Sequence, residues 1–211
     1  ALNSEYPTVQ HLRTRAQKRM PGFAFDYLDA GCFSDLNLRR NRDEIREIQL
    51  RPYYIRDYAG SNLETELFGK KYTAPFGVSP IGLQGLMWPK ATEILAKAAV
   101  DNGIPFIVST VATASIETVG KITEGNFWFQ LYNPADEELR NNILDRAMAA
   151  GCQCLVILAD TPTLSYRPRE IRNGLSIPPR MSMRNIFQMI MHPTWSFSQL
   201  AAEYSLSITP S

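Results

Sequence analysis

"FWFQLYNPADEELRNNILDRAMAAGCQCLVILADTP", Phe127 to Pro162, decides the fold. It opens on an apolar run, passes through Asn-Pro into the amphipathic "ADEELRNNILDRAMAAG", and returns to a second apolar run, "CLVILADTP". Strands that are apolar on both faces and alternate with helices form a parallel sheet. The same rhythm begins upstream. "APFGVSP" precedes the helical "KATEILAKAAVDNG", which ends in Asn-Gly, and "IPFIVST" precedes "SIETVGKIT". The four apolar runs, each but the last followed by a helical segment, recur at about the length of one strand-plus-helix unit, ~30 residues.

A closed (β/α)8 barrel takes ~250 residues. This chain has 211, and the 73 before Ala74 read as preamble. The remainder holds about four units of ~30 residues. The pattern is therefore that of half a barrel or of a small open α/β sheet. In the preamble, Val9, Leu12, Ala16 and Met20 give a helix over Pro7–Met20. "PGFAFDYLDAGC" starts at a Pro-Gly break and ends on Gly31, a C-cap residue by type. "LNLRRNRDEIREI" reads as a helix with Leu38, Ile45 and Ile48 as its inner stripe. "IQLRPYYIRDY" and then "ETELFGKKY" read as two short strands.

At 45% hydrophobic and 20% charged residues, with formal net charge +1, the composition is that of a globular protein and not of a general nucleic-acid binder. Arg13, Arg15, Lys18 and Arg19 cluster locally and read as a solvated helix face. Cys32, Cys152 and Cys154 are too few for a disulfide framework and match no zinc spacing, so no metal is expected and a reducing, cytoplasmic setting is the default. The N-terminus has no apolar core of a signal peptide, and no segment is long enough to span a bilayer.

In parallel α/β folds, ligands gather at the C-terminal ends of strands. Those ends carry Ser79-Pro80-Ile81-Gly82, Ser109-Thr110, Gln130 with Tyr132, and Asp160 followed by Arg167. A carboxamide such as Gln130 both donates and accepts at a heterocycle edge. Gly82 lets backbone approach a flat ring, and Arg167 is suited to bidentate pairing with a carboxylate. Each residue has a plainer reading: Ser109 and Thr110 as helix caps, Asp160-Thr-Pro as a turn, Arg167, Arg169 and Arg172 as a solvated loop. Together they favour a ligand site.

"FDYLDAG", "VSPIGLQGLMWP", "GIPFIVSTVATASIE", "WFQLYNP" and "LADTPTLSYRPREIRNG" stand in an order and spacing that resemble the FMN-dependent 2-hydroxy-acid dehydrogenases and oxidases, over nearly all of Pro7 to Leu200. The resemblance implies a (β/α)8 TIM barrel, of which residues 1–73 would be the N-terminal cap, 74–174 the first half and 175–211 part of an excursion after the fourth strand. It implies FMN at the barrel mouth. Ser79, Pro80, Ile81, Gly82, Ser109 and Gln130 would hold the isoalloxazine, and Tyr27, Tyr132 and Arg167 the substrate carboxylate and hydroxyl. Asp160 would orient a histidine base that takes the substrate proton while a hydride equivalent passes to flavin N5. A small L-2-hydroxy acid such as lactate or mandelate would be the substrate, with a quinone, cytochrome or O2 as acceptor. Gly82, where the oxidases more often carry Ala, leans towards a dehydrogenase. A homo-oligomer, a tetramer in the family, is also implied.

Two departures stand out. Leu158 occupies the position of a flavin-side Thr, and the family's "SNHGGRQ"-like segment has no counterpart; His11 and His192 lack that context. These 211 residues alone are thus expected to be inactive, needing a C-terminal half or a full-length subunit. The alternative is a non-catalytic truncated paralogue, a binding or structural subunit. In the excursion, Met183, Ile186, Phe187 and Ile190 fall at helical spacing with Arg180 and Arg184 nearby. That stripe over 180–200 either packs against protein, the favoured reading, or makes peripheral contact with the inner face of a membrane.

Overall fold

The computed structural model describes residues 3–57, 60, 62–159, 166–174 and 182–202. Helices α1 (Val9–Arg19), α2 (Gly22–Asp29) and α3 (Leu36–Glu47) come first, then strands β1 (Thr65–Leu67) and β2 (Lys70–Tyr72). There follow α4 (Gln84–Met87), α5 (Ala91–Asp101), β3 (Ile107–Ser109), α6 (Ile116–Ile122), β4 (Trp128–Leu131), α7 (Glu137–Ala149) and β5 (Cys154–Ile157). Last come α8 (Pro168–Asn173), α9 (Met183–Ile190) and α10 (Pro193–Leu200). The chain divides into two compact units, Ala1–Tyr58 with Thr163–Ala201, and Ala59–Pro162 with Ala202–Ser211.

The second unit is built on the parallel sheet β3-β4-β5. Ile107 pairs with Trp128 and Ser109 with Gln130; Phe129 pairs with Leu155 and Leu131 with Ile157. Strands succeed one another in chain order with α6 and α7 as crossovers, as the alternating pattern requires. Side chains alternate across a strand. Val108, Phe129 and Leu131, with Phe106 and Phe127 at the strand starts, pack into one core with Ala96, Ala99, Ile116, Val119, Ile143 and Ala147 of the helices. Ser109 and Gln130 have the other parity and face away from that layer. Ser115 and Asp136 cap α6 and α7 by accepting the Thr118 and Leu139 amides, and α5 stops at Asn102-Gly103, where Gly103 takes φ +63°.

The run "APFGVSP" makes a single parallel bridge, Val78 to Phe106, and not the expected strand. Pro75 and Pro80 have no N–H to give a ladder, so pairing is confined between them. Gly77 is required there: a Cβ would lie 2.7 Å from the Pro105 carbonyl oxygen. "ETELFGKKY" is itself a complete antiparallel hairpin, its two-residue loop Phe68-Gly69 at φ +52° and +77° as a type I′ turn demands. Phe68 and Tyr72 meet the Trp128 ring edge-on, and Trp128 Nε1 donates to Tyr72 Oη at 3.2 Å. "IQLRPYYIRDY" forms no strand over its described residues 48–57; Pro52 and the left-handed Ile55 interrupt it.

In the first unit α2 buries Phe23, Ala24 and Phe25. Trp195 of α10 meets Phe23 edge-on at 5.7 Å, and Gln188 of α9 accepts the Phe23 amide at 3.1 Å. Gly31 is not a helix cap: α2 ends at Asp29 with Ala30 extended, and the Gly31 amide donates to Asp35 Oδ1 at 2.8 Å. The α3 stripe is also not inward, since Ile45 and Ile48 are exposed. Seven of the twelve α3 residues, Arg39, Arg40, Arg42, Asp43, Glu44, Arg46 and Glu47, are charged, which leaves a stripe too sparse to bury alone.

The face assignment of β4 is testable. Phe129→Ala should cost about 3–5 kcal/mol in urea unfolding, whereas Ile94→Ala, on the exposed side of α5, should stay near 0.5 kcal/mol or below.

Candidate active site

In the second unit the strand ends are tied by side chains. Ser109 Oγ donates to Gln130 Oε1 at 3.1 Å. Thr110 Oγ1 donates to the Gln130 carbonyl at 2.5 Å and accepts the Tyr132 amide at 2.9 Å. Ser109 and Thr110 therefore do not cap α6; Ser115 does, and the pair fastens β3 to β4. Gln130 is 4% exposed, and its Nε2 has no hydrogen-bond partner among the described residues. A buried donor left unpaired costs about 1–3 kcal/mol, which a ligand acceptor would recover. Tyr132 is 43% exposed at the end of β4.

Ser79 is exposed just past the Val78 bridge, with Pro80, Ile81 and Gly82 half-buried. The next residues are pinned to the loop after β3: the Leu83 amide donates to the Val111 carbonyl at 2.9 Å and the Gly85 amide to Thr113 Oγ1 at 2.8 Å. Gln84, a residue the sequence reading passed over, is buried with its Oε1 unpartnered among the described residues. Its one signal was a carboxamide inside the apolar "GLQGLM". Asp160 lies outside the described residues.

The first unit brings Tyr27 and Arg167 together. Tyr27 is half-buried on α2, and Arg167 occupies the N-cap of α8. Burial pulls the Arg167 pKa down, but Glu170, bonded to Nη1 at 2.5 Å, outweighs it and, with the Tyr27 phenol and Cys32 thiol nearby, holds the pKa above its ordinary value. The Arg167 guanidinium is suited to pairing with a carboxylate, whereas Arg169, two residues on, is engaged by Asp26, Asp29 and Asp35.

The model of the FMN-dependent dehydrogenase family matches residues 16–209. The chain belongs to that family. L-lactate dehydrogenase of Vibrio parahaemolyticus serotype O3:K6 (strain RIMD 2210633) is 39% identical over 184 residues, 87% of this chain and 48% of that protein. The crystal structure of the monotopic membrane protein (S)-mandelate dehydrogenase matches with TM-score 0.88 at 32% identity, over 96% of this chain and 54% of that one. A soluble mutant of the membrane-associated (S)-mandelate dehydrogenase from Pseudomonas putida matches with TM-score 0.76 at 34% identity, over 84% and 51%.

The chain thus spans about half the length of the curated relatives it matches. Its fold is that of the family's TIM barrel, with the parallel sheet as an arc of it. The family is FMN-dependent, and the residues present fit that cofactor: the unpartnered Gln130 Nε2, beside the Ser109 hydroxyl, is the donor a flavin carbonyl edge needs.

Acid should loosen the first unit first. Burial favours the neutral form of Asp29, but hydrogen bonds from Arg13 and Arg169 outweigh it and hold its pKa below the ordinary value. A depressed carboxylate contributes its full stability above the unfolded-state pKa of about 4, and loses it as pH falls through the lower folded value. Acid unfolding followed by circular dichroism should begin at higher pH in Arg13→Met than in the parent.

Proposed function

We propose that the protein carries out FMN-dependent oxidation of a small L-2-hydroxy acid to the 2-oxo acid, these 211 residues supplying part of the flavin and substrate sites. The observation that carries this reading is the buried Gln130 amide donor left unpartnered at the strand ends. Residues 1–73 would cap the barrel, 74–174 form its first half and 175–211 belong to an excursion. Ser109 and Gln130 would hold the ring edge, with the backbone of Ser79, Pro80, Ile81 and Gly82 against its face. FMN, when bound, supplies an acceptor for the two electrons that leave the substrate C2.

The remaining work falls to side chains. Arg167 carries five N–H donors, with Glu170 engaging Nη1, and would take the substrate carboxylate. Tyr27 and Tyr132 would orient that carboxylate and the hydroxyl. Asp160 would hold a histidine base in the tautomer that accepts the hydroxyl proton; that histidine is not among these residues, so they turn nothing over by themselves. Similarity to an L-lactate dehydrogenase and to an (S)-mandelate dehydrogenase supports lactate or mandelate as substrate. Gly82 supports electron transfer to a quinone or cytochrome over O2.

Native mass spectrometry of the purified protein, paired with an assay of L-lactate and (S)-mandelate using a dye acceptor, tests the reading. Turnover should require a second half bearing the histidine and should be lost in Arg167→Met. Proton abstraction contributes ~10²–10⁴-fold, so full turnover by the 211 residues alone would overturn the assignment of the base. Flavin bound without turnover in any assembly would instead make this a binding subunit.

A second reading concerns location. Met183, Phe187 and Ile190 form an exposed apolar face on α9, continued by Phe197 and Leu200 of α10. No helix among the described residues is long and apolar enough to cross a membrane. One of the matching structures is that of a monotopic membrane protein, (S)-mandelate dehydrogenase. This supports peripheral attachment through α9 and α10, driven by apolar burial, since Arg184 is engaged by the Arg172 carbonyl and Asn173. The protein should float with phosphatidylcholine–phosphatidylglycerol vesicles, and Phe187→Glu with Ile190→Glu should release it.

A further inference from the structure

Arg169 sits two residues beyond Arg167, in the first turn of α8, where a cation opposes the helix dipole by about 0.3–1 kcal/mol. Its partners explain why it is there. Arg169 Nη2 donates to Asp26 Oδ1 at 2.7 Å and to Asp29 Oδ2 at 2.9 Å. Nη1 donates to Asp35 Oδ2 at 3.2 Å and to the Asp29 carbonyl at 3.4 Å. One guanidinium thus meets three carboxylates, two from α2 and one from the N-cap of α3.

Those two α2 carboxylates bracket Tyr27 in sequence, three apart and on one helix face. Asp29 is gripped a second time by Arg13, at 2.6 and 2.7 Å, and Asp26 by Asn173 at the far end of α8. Their side chains are largely buried, and burying a carboxylate without a counterion is expensive. If Arg169 were lost, Asp26 would keep only a neutral amide among the described residues, and the next guanidinium along the chain is that of Arg167.

We infer that Arg169 is a positioning residue for the substrate carboxylate: it clamps the helix bearing Tyr27 to the helix bearing Arg167, and it satisfies the α2 carboxylates so that they do not compete for Arg167. The inference rests on the reading of Arg167 and Tyr27 as carboxylate ligands given above.

Oxalate, which has the carboxylate but no C–H bond to lose, tests it by calorimetry on the complete flavin-loaded enzyme. Arg167→Met serves as the reference that should abolish binding. Arg169→Met should raise the oxalate Kd about tenfold, the scale of one lost charge-assisted contact, with FMN content unchanged. Arg169→Lys, which keeps the charge but cannot span three carboxylates, should fall between, and it carries the test if the Met variant does not fold. Adding Asp26→Asn to Arg169→Met should restore affinity, because the competing carboxylate is gone; a purely structural clamp would be weakened further. Unchanged Kd in both single Arg169 variants, or no recovery in the double variant, overturns the positioning role while leaving the carboxylate site standing. Equal binding in Arg167→Met and the parent, or no oxalate binding at all, overturns the site and the positioning role together.

Discussion

A parallel strand must dispose of two faces, and that constraint organises the second unit. Helices cover one face, so every other residue of β3 and β4 is drawn into a core of Phe106, Val108, Phe127, Phe129 and Leu131. Parity then leaves Ser109 and Gln130 no place in that core. Both are nevertheless buried, so their polar groups need partners. Ser109 meets the oxygen of Gln130, and the amide nitrogen remains. The unpartnered donor is thus a by-product of burying the opposite side of the sheet.

The first unit solves a different problem. Its helices are short and charged, and α1 and α3 bury none of their residues. Order there comes from a small apolar contact, Phe23 with Trp195, and from ion pairs around Asp26, Asp29 and Asp35. Such pairs contribute little to stability when exposed, but these are largely shielded and share donors. The Arg169 pKa is raised even though burial acts against it, because Asp29 and Asp26 hold its charge. A cluster of this kind fixes geometry more than it adds stability.

What could be read from the sequence follows the same division. The β3–α6–β4–α7–β5 order was legible because two-sided burial and helix amphipathicity leave strong periodic signals, and Asn102-Gly103 marked where α5 stops. The strand ends, and hence Ser109, Gln130 and Tyr132, followed from that order. Elements whose form depends on a single backbone dihedral were not legible: the I′ turn at Phe68-Gly69 lacks the Asn-Gly or Asp-Gly pair that usually marks one, and Gly31 is spent on Asp35 instead of a helix end. The proline-bounded bridge at Val78 looked like a strand by composition alone. Arg169 was missed because its meaning lies in three acids more than a hundred residues away in the chain. The pair of Asp residues in "FDYLDAG" was its only local trace.

The same constraint acts at the edge of the sheet. Leu155 and Ile157 stand opposite Phe129 and Leu131 in register, so they share the helix-facing side. Phe129 and Leu131 are buried, yet Leu155 is 40% and Ile157 63% exposed. Beside them runs a groove lined by Leu144, Met148, Cys152 and Leu155. In a (β/α)8 barrel each strand is flanked by the helices before and after it, and β5 has only α7 on this side among the described residues. Fully burying such a side chain contributes about 1.5–3 kcal/mol, of which Leu155 and Ile157, part open, forgo a share, and β5 also presents one edge with no strand paired to it among the described residues. The same alternation that builds a finished core at β4 therefore leaves an unfinished one at β5, in the shape that a further strand and helix would complete.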